Sequence, residues 1–289
     1  MTGSSSSPAP GQGALGVFDS GLGGLTVVRA LLDALPDERI IYLGDTARVP
    51  YGTRSPETIL RYARACARAL IQRDVKALVV ACNTVSANSL EFLRAELDLP
   101  VLGVIEPGAR AAVRAAEQAQ SDGRPGRIGV LGTASTIASG AYPRAVSQVS
   151  TRYEVFGNPA PLLVPLVEEG WLEGQVPELV IREYLAPLVR ERVSVVLLGC
   201  THYPLLKPLI ASVAETLAGH ALPVVDSAAA TADAVREWIR EERIPAAEPR
   251  TGERLRIVVT DRPGSFARVA SRFLGSDSSE IEQIDLEPG

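Results

Sequence analysis

The sequence predicts an α/β protein with mostly parallel sheets, built as two pseudo-symmetric domains with an active site in the cleft between them. Short β-branched apolar runs alternate with longer segments of helical period, the pattern of repeated βα units. Most of those runs end in a small residue followed by a polar one. Two of them end in a cysteine in nearly matching settings, VVACNT at 79–84 and LLGCTH at 197–202. At 289 residues and 46% hydrophobic, the chain is long enough for one large domain or two ordinary ones with a substantial core.

Taken in order, residues 1–13 are rich in Ser, Pro and Gly and have neither a basic n-region nor an apolar h-region. They are expected to form a disordered tail rather than a signal peptide. Strands are expected at ALGVFD, RIIYLG, ALVVAC, PVLGVI, RIGVLG, SVVLLG, PVVD and RLRIVVT. The segment SPETILRYARACARALIQR carries apolar residues at 59, 60, 63, 66, 67, 70 and 71, one face of a helix, with Pro56 and Glu57 suited to its first turn. Cys66 lies on that face and reads as a small buried hydrophobe. SDGRPGR at 121–127 and EERIPAAEPRTGER at 241–254 read as surface connections. One set of strands precedes Pro107 and another runs from Arg127 to Gly199, which divides the chain into two α/β domains. Which sheet PVVD and RLRIVVT enter stays open at this level.

The net charge of −5 leaves no basic footprint, so nucleic acid is not expected as a principal partner. No stretch approaches the roughly 18 apolar residues of a membrane span. Three cysteines are too few, and odd in number, for a secreted disulfide scaffold, so a cytoplasmic protein with reduced thiols is expected.

Open α/β sheets bind ligands beyond the carboxyl ends of their strands. The polar residues there are Asp19, Ser20, Asp45, Thr46, Cys82, Asn83, Thr84, Thr133, Cys200, Thr201, His202, Asp226 and Ser227. The glycine-rich turn DSGLGGLT, 19–26, opens a helix, but the dinucleotide spacing G-x-G-x-x-G fails at Thr26, and an aspartate before the turn would repel a pyrophosphate. A zinc site of Cys82, Cys200 and His202 is conceivable, yet the cysteines are distant in sequence and no C-x-x-C exists; a redox pair is weaker for the same reason. Pyridoxal chemistry needs a Schiff-base lysine. The lysines are Lys76, before its strand at the end opposite the proposed site, and Lys207, after Cys200 and harder to exclude by position. Two thiols facing each other suit one task well: inverting a carbon centre takes a base on each face of a planar carbanion.

The motifs GVFDSGLGGLTV, YLGDTARVPYG, ACNTVSA, VLGVIEPG, LGTAST, PLLVPLVEEG and LGCTHYPLL, in this order from about residue 14 to about residue 240, resemble those of the glutamate racemases within the aspartate/glutamate racemase superfamily. ACNT alone would also fit aspartate and hydantoin racemases, whereas YLGDTARVPYG and LGCTHYPLL point to glutamate. The resemblance implies cofactor-independent interconversion of L- and D-glutamate, supplying D-glutamate for peptidoglycan, with no metal. It implies Cys82 and Cys200 as the proton-transfer residues, with Asp19 assisting Cys82, and Glu168 and His202 assisting Cys200. It further implies that Asp19, Ser20, Tyr51, Gly52, Asn83, Thr84, Thr201 and His202 hold the amino acid, with Asp45 nearby. Thr133 or Thr136 would add donors for the side-chain carboxylate. The implied domains are 14–106 plus 223–289, and 107–222. A homodimer is the assembly the resemblance implies, and within the family dimer arrangements differ and cell-wall precursors activate some members. One departure is Ala160, where many members carry a cysteine. The readings that compete are a racemase of aspartate or another amino acid, and a non-enzymatic protein binding a small acidic ligand.

Overall fold

The computed structural model describes residues 13–121, 123, 126–248, 252–262, 266–275 and 281–286. Residues 1–12 of the expected tail, residues 122, 124 and 125 of SDGRPGR and residues 249–251 of the second connection lie outside the described residues.

The first lobe begins with β1 (Ala14–Asp19), α1 (Leu25–Ala34), β2 (Ile40–Gly44), α2 (Pro56–Ile71), β3 (Val75–Val80), α3 (Asn83–Glu96) and β4 (Val101–Gly103). The second comprises α4 (Ile105–Ser121), β5 (Arg127–Gly132), α5 (Ala134–Ala138), α6 (Ala141–Val149), β6 (Glu154–Pro159), α7 (Leu163–Glu169), α8 (Gln175–Arg190), β7 (Val195–Gly199), α9 (Lys207–Ala218) and β8 (Val224–Asp226). The chain then returns through α10 (Ser227–Arg240), β9 (Leu255–Val259), α11 (Phe266–Leu274) and β10 (Ile281–Gln283).

Among the described residues all strand pairings are parallel, in a six-stranded sheet ordered β10-β9-β2-β1-β3-β4 and a four-stranded sheet ordered β6-β5-β7-β8. The segments β2-β1-β3-β4 and β6-β5-β7-β8 share one order: second, first, third, fourth strand of each half. Cys82 follows the third strand of the first half and Cys200 the third strand of the second, so the pseudo-symmetry read from the cysteine settings is a symmetry of topology. Every residue of β1 and β7 is buried, as both-face coverage by helices requires of parallel strands.

The strand PVVD, placed with the first domain, belongs instead to the second sheet: β8 pairs with β7, Leu197 opposite Val225. It is the fourth strand of its half, as β4 is of the first. The helices after these fourth strands cross over: α4 packs on α6 and β7, and α10 packs on α1 as well as α4. The return to the first lobe therefore begins with α10, whose Asp226 cap accepts the Ala228 N–H at 3.1 Å. RLRIVVT does rejoin the first sheet, with Tyr42 opposite Ile257. α2 forms as expected, with the Ser55 side chain capping Thr58 N–H, Pro56 at its first position and Cys66 in the core.

Candidate active site

The carboxyl ends of both sheets face one cavity of about 360 Å³, within the usual range for small-molecule sites. A larger groove, about 580 Å³, lies at the amino ends of β2 and β9 among Arg39, Arg254, Arg256 and Glu282. Its lining among the described residues has no thiol, hydroxyl or imidazole.

Cys82 is the N-terminal cap of α3 and is 4% exposed. The free N–H groups of a first helical turn favour a thiolate at this point. Burial, and then the Asp19 carboxylate, nevertheless push the Cys82 thiol well above its ordinary range; the Val85 N–H and Ser20 pull the other way without overcoming them. Ser20 Oγ lies 3.6 Å from the sulfur. The thiol is thus an acid at rest and a strong base once ionised.

On the other side, β7 delivers Cys200, followed by a tight 3₁₀ turn at Tyr203–Leu206. His202 Nδ1 is 3.9 Å from Cys200 Sγ, and its Nε2 is 3.2 Å from Glu168 Oε1 on α7. Burial acts to lower the His202 pKa, but the Cys200 sulfur and the Glu168 carboxylate outweigh it and raise the imidazole to about 10. The ring also meets Phe273 of α11 edge-on, with centroids 5.4 Å apart. Arg272 of the same helix donates to the Glu168 carbonyl at 3.0 Å.

The two sides interlock. A Cβ on Gly23 would collide with Thr201 Oγ1 and come within 2.5 Å of His202 Nδ1, so the first loop lies flush on the Cys200 loop only as glycine. Thr26 Oγ1 donates to the Thr201 carbonyl at 3.1 Å. Across the cavity Thr84 Oγ1 and Thr133 Oγ1 are 3.0 Å apart.

Of the residues expected at the site, Ser20, Tyr51, Gly52, Cys82, Asn83, Thr84, Thr133, Glu168, Cys200, Thr201 and His202 all line this cavity. Asp19 does not: it is buried behind the lining, one oxygen accepting the Gly24 N–H at 2.7 Å and the other without a partner among the described residues. Thr136 also stands behind, reaching Thr133 Oγ1 at 2.9 Å. Asp45 is wholly buried and supports the loop above the cavity, accepting from the Tyr51 hydroxyl, from Arg48 Nε at 2.7 Å and from Thr260 Oγ1 at 2.9 Å. Sequence reasoning missed Thr260, 215 residues away, and Val49, Pro50, Pro161, Val164 and Pro165, which supply an apolar wall. Prolines beside YG and in PLLVP were the available signal. Ala160 is buried, and its carbonyl accepts the Tyr203 hydroxyl at 2.7 Å, a contact independent of its side chain.

Neither lysine lines the cavity. Lys76 is buried in an ion pair with Glu38 at 2.7 Å, and Lys207 bonds Asp226 at 2.7 Å. Among the described residues no group of three His, Cys, Asp or Glu side chains is placed to hold a metal ion.

Two thiols at topologically equivalent strand ends line one small cavity, an arrangement suited to a racemase that needs a base on each face of a carbon centre. The Asp/Glu/hydantoin racemase family model matches residues 21–235, and the chain belongs to this family, among its glutamate racemases. It is 47% identical to a glutamate racemase of Geobacter metallireducens, covering 95% of this chain and 97% of that one. Its structure is similar to a glutamate racemase of Bacillus anthracis, with a TM-score of 0.86, 36% identity and coverage of 95% and 98%. A glutamate racemase of Francisella tularensis, solved in complex with D-glutamate, superposes with a TM-score of 0.85 at 34% identity, covering 96% and 98%.

Proposed function

We propose that the protein interconverts L- and D-glutamate by two-base proton transfer between Cys82 and Cys200, and that its D-glutamate serves peptidoglycan synthesis. The observation that carries the mechanism is the placement of the two cysteines at topologically equivalent strand ends lining one cavity.

In the reaction one cysteine, as thiolate, removes the α-proton. The electron pair left on carbon delocalises into the α-carboxylate, and the other cysteine, as thiol, delivers its proton to the opposite face. The roles exchange with the enantiomer, and the pair is reset by exchanging protons with solvent. An α-proton is far less acidic than a thiol, so the carboxylate must be held by fixed donors in a closed site. The first turn of α3, Asn83, Thr84 and Thr201 offer such donors. Asp19 acts electrostatically on Cys82, and the His202–Glu168 pair supports Cys200.

The test is to incubate the purified protein with L-glutamate, without added pyridoxal phosphate or metal, and follow optical rotation against an L-aspartate control. Glutamate is expected to racemise and aspartate to remain unchanged. Aspartate turnover in place of glutamate would overturn the substrate, and no turnover of either would favour a binding protein.

The lobes are proposed to act as two domains closing on the substrate, with the division after β8 rather than before it. A cytoplasmic location accords with three free cysteines; no helix among the described residues is long and apolar enough to cross a membrane. A homodimer is proposed as the working assembly. Leu162, Trp171, Val176 and Leu179 are each about half exposed along one stretch, and such apolar side chains fit a second copy. Analytical ultracentrifugation should give twice the chain mass; the chain mass alone would refute the dimer.

A further inference from the structure

Asn83 and Tyr142 come from opposite lobes, on α3 and α6. The Tyr142 hydroxyl donates to Asn83 Oδ1 at 2.6 Å, and both side chains are buried. The other end of the amide, Nδ2, is buried in a residue that lines the cavity and has no hydrogen-bond partner. A buried, orphaned NH₂ on a residue that lines a ligand cavity calls for an acceptor. Tyr142 decides which end of the amide stays unpaired: its proton goes to Oδ1, which leaves the donors, not the acceptor, without a partner. Burial, with Cys200 next, pushes the Tyr142 hydroxyl well up, so it is a donor at every working pH.

The same ring touches the other half of the site. A Cβ on Gly199, the residue before Cys200, would come within 2.8 Å of Tyr142 Cε2, so the ring lies directly against that strand end. One side chain therefore binds the residue after Cys82 and packs on the residue before Cys200.

We propose that Tyr142 is a positioning residue that sets the Asn83 amide with its NH₂ toward a carboxylate of the substrate, and ties that setting to the approach of the two cysteine-bearing strand ends. The inference rests on the glutamate reading above. Preorganised donors bind without ordering cost, so releasing the amide weakens carboxylate binding more than it slows the chemistry.

The test is a cycle of Tyr142→Phe, Asn83→Ala and the double variant in the full chain, with KM and kcat for both enantiomers and a thermal melt. Phe keeps the ring on Gly199 and removes only the hydroxyl. Tyr142→Phe should raise KM roughly tenfold in both directions, because the released amide no longer keeps its NH₂ on the charged carboxylate, with kcat changed less. In the Asn83→Ala background it should add less than about twofold, because coupled partners are non-additive. A purely structural role would instead lower the melting temperature and multiply with Asn83→Ala. Wild-type protein that leaves glutamate untouched defeats the functional reading. Wild-type activity with Tyr142→Phe within about twofold of it, or with multiplying effects, overturns this proposal alone. Should Tyr142→Phe fail to fold, Asn83→Asp keeps the acceptor for Tyr142 and removes the donor. It should raise KM at least roughly tenfold, and an unchanged KM overturns the proposal.

Discussion

His202 holds its proton because Cys200 and Glu168 flank it, and this gives the Cys200 side its own dependence on pH. The imidazole is raised from 6.5 to about 10, so its contribution to stability is fully present below about 6.5 and is lost as pH rises through about 10. Glu168→Gln removes one of the two groups that raise it, and the loss should then begin at lower pH. Melting temperatures of the wild type and Glu168→Gln across this interval check the sign: the variant should soften first on the alkaline side, and coincident profiles would contradict the pairing. Much of the cavity lining was legible in the residues themselves. Cys82 and Cys200 could be recognised from their matching settings, and His202 by its place two residues beyond a thiol. Glu168 could be read only as one of the acidic groups available to the thiols until a family resemblance singled it out, and Tyr51 came from that resemblance alone. Tyr142 and Thr260 were illegible because each acts on a partner brought to it by the fold, 59 and 215 positions away. Asp19, read as a substrate ligand and as an assistant to Cys82, stands behind the lining with one oxygen on the Gly24 N–H and its charge acting on the Cys82 thiol.

Among the elements, the connection between β2 and α2 illustrates how a loop is made rigid. Residues Val49–Gly52 cover the cavity, and Asp45 anchors them through Arg48 and Tyr51 while Thr260 holds Asp45 from the end of β9. Asp45→Asn should cost about 1–3 kcal/mol, as expected when a buried acceptor is compromised, and should raise KM for glutamate more than it lowers kcat. Denaturant melts and steady-state kinetics measure the two effects, and unchanged KM would show that the loop does not depend on the anchor. The long apolar strands and α2 could be read from sequence because burial on both faces and helical period leave plain patterns. β6 could not: EVFGNP sits at a sheet edge, largely open to solvent, and carries Gly, Asn and Pro in place of a β-branched run. β10 is three residues long at an edge of the other sheet. PVVD was correctly read as a strand with its sheet left open, since strand character does not specify a partner, and the domain bounds then put it with the first lobe, whereas it pairs with β7.

For the whole molecule, the repeated order of second, first, third and fourth strands explains why the cysteine settings match. Each half presents its third strand end to the cleft, and α4 and α10 cross between the halves and bind them together. The loop contacts at Gly23, Thr26 and Thr84 hold the two thiol-bearing ends against one cavity. A site of this kind makes a specific demand on isotope transfer, because one thiol removes the proton and a different, solvent-equilibrated thiol supplies the new one. The direct measurement is the α-deuterium content of both enantiomers during the first few per cent of turnover of L-glutamate in deuterated water. The two-thiol account predicts D-glutamate carrying deuterium beside residual L-glutamate that still carries protium. D-glutamate formed with the substrate's own protium would contradict it.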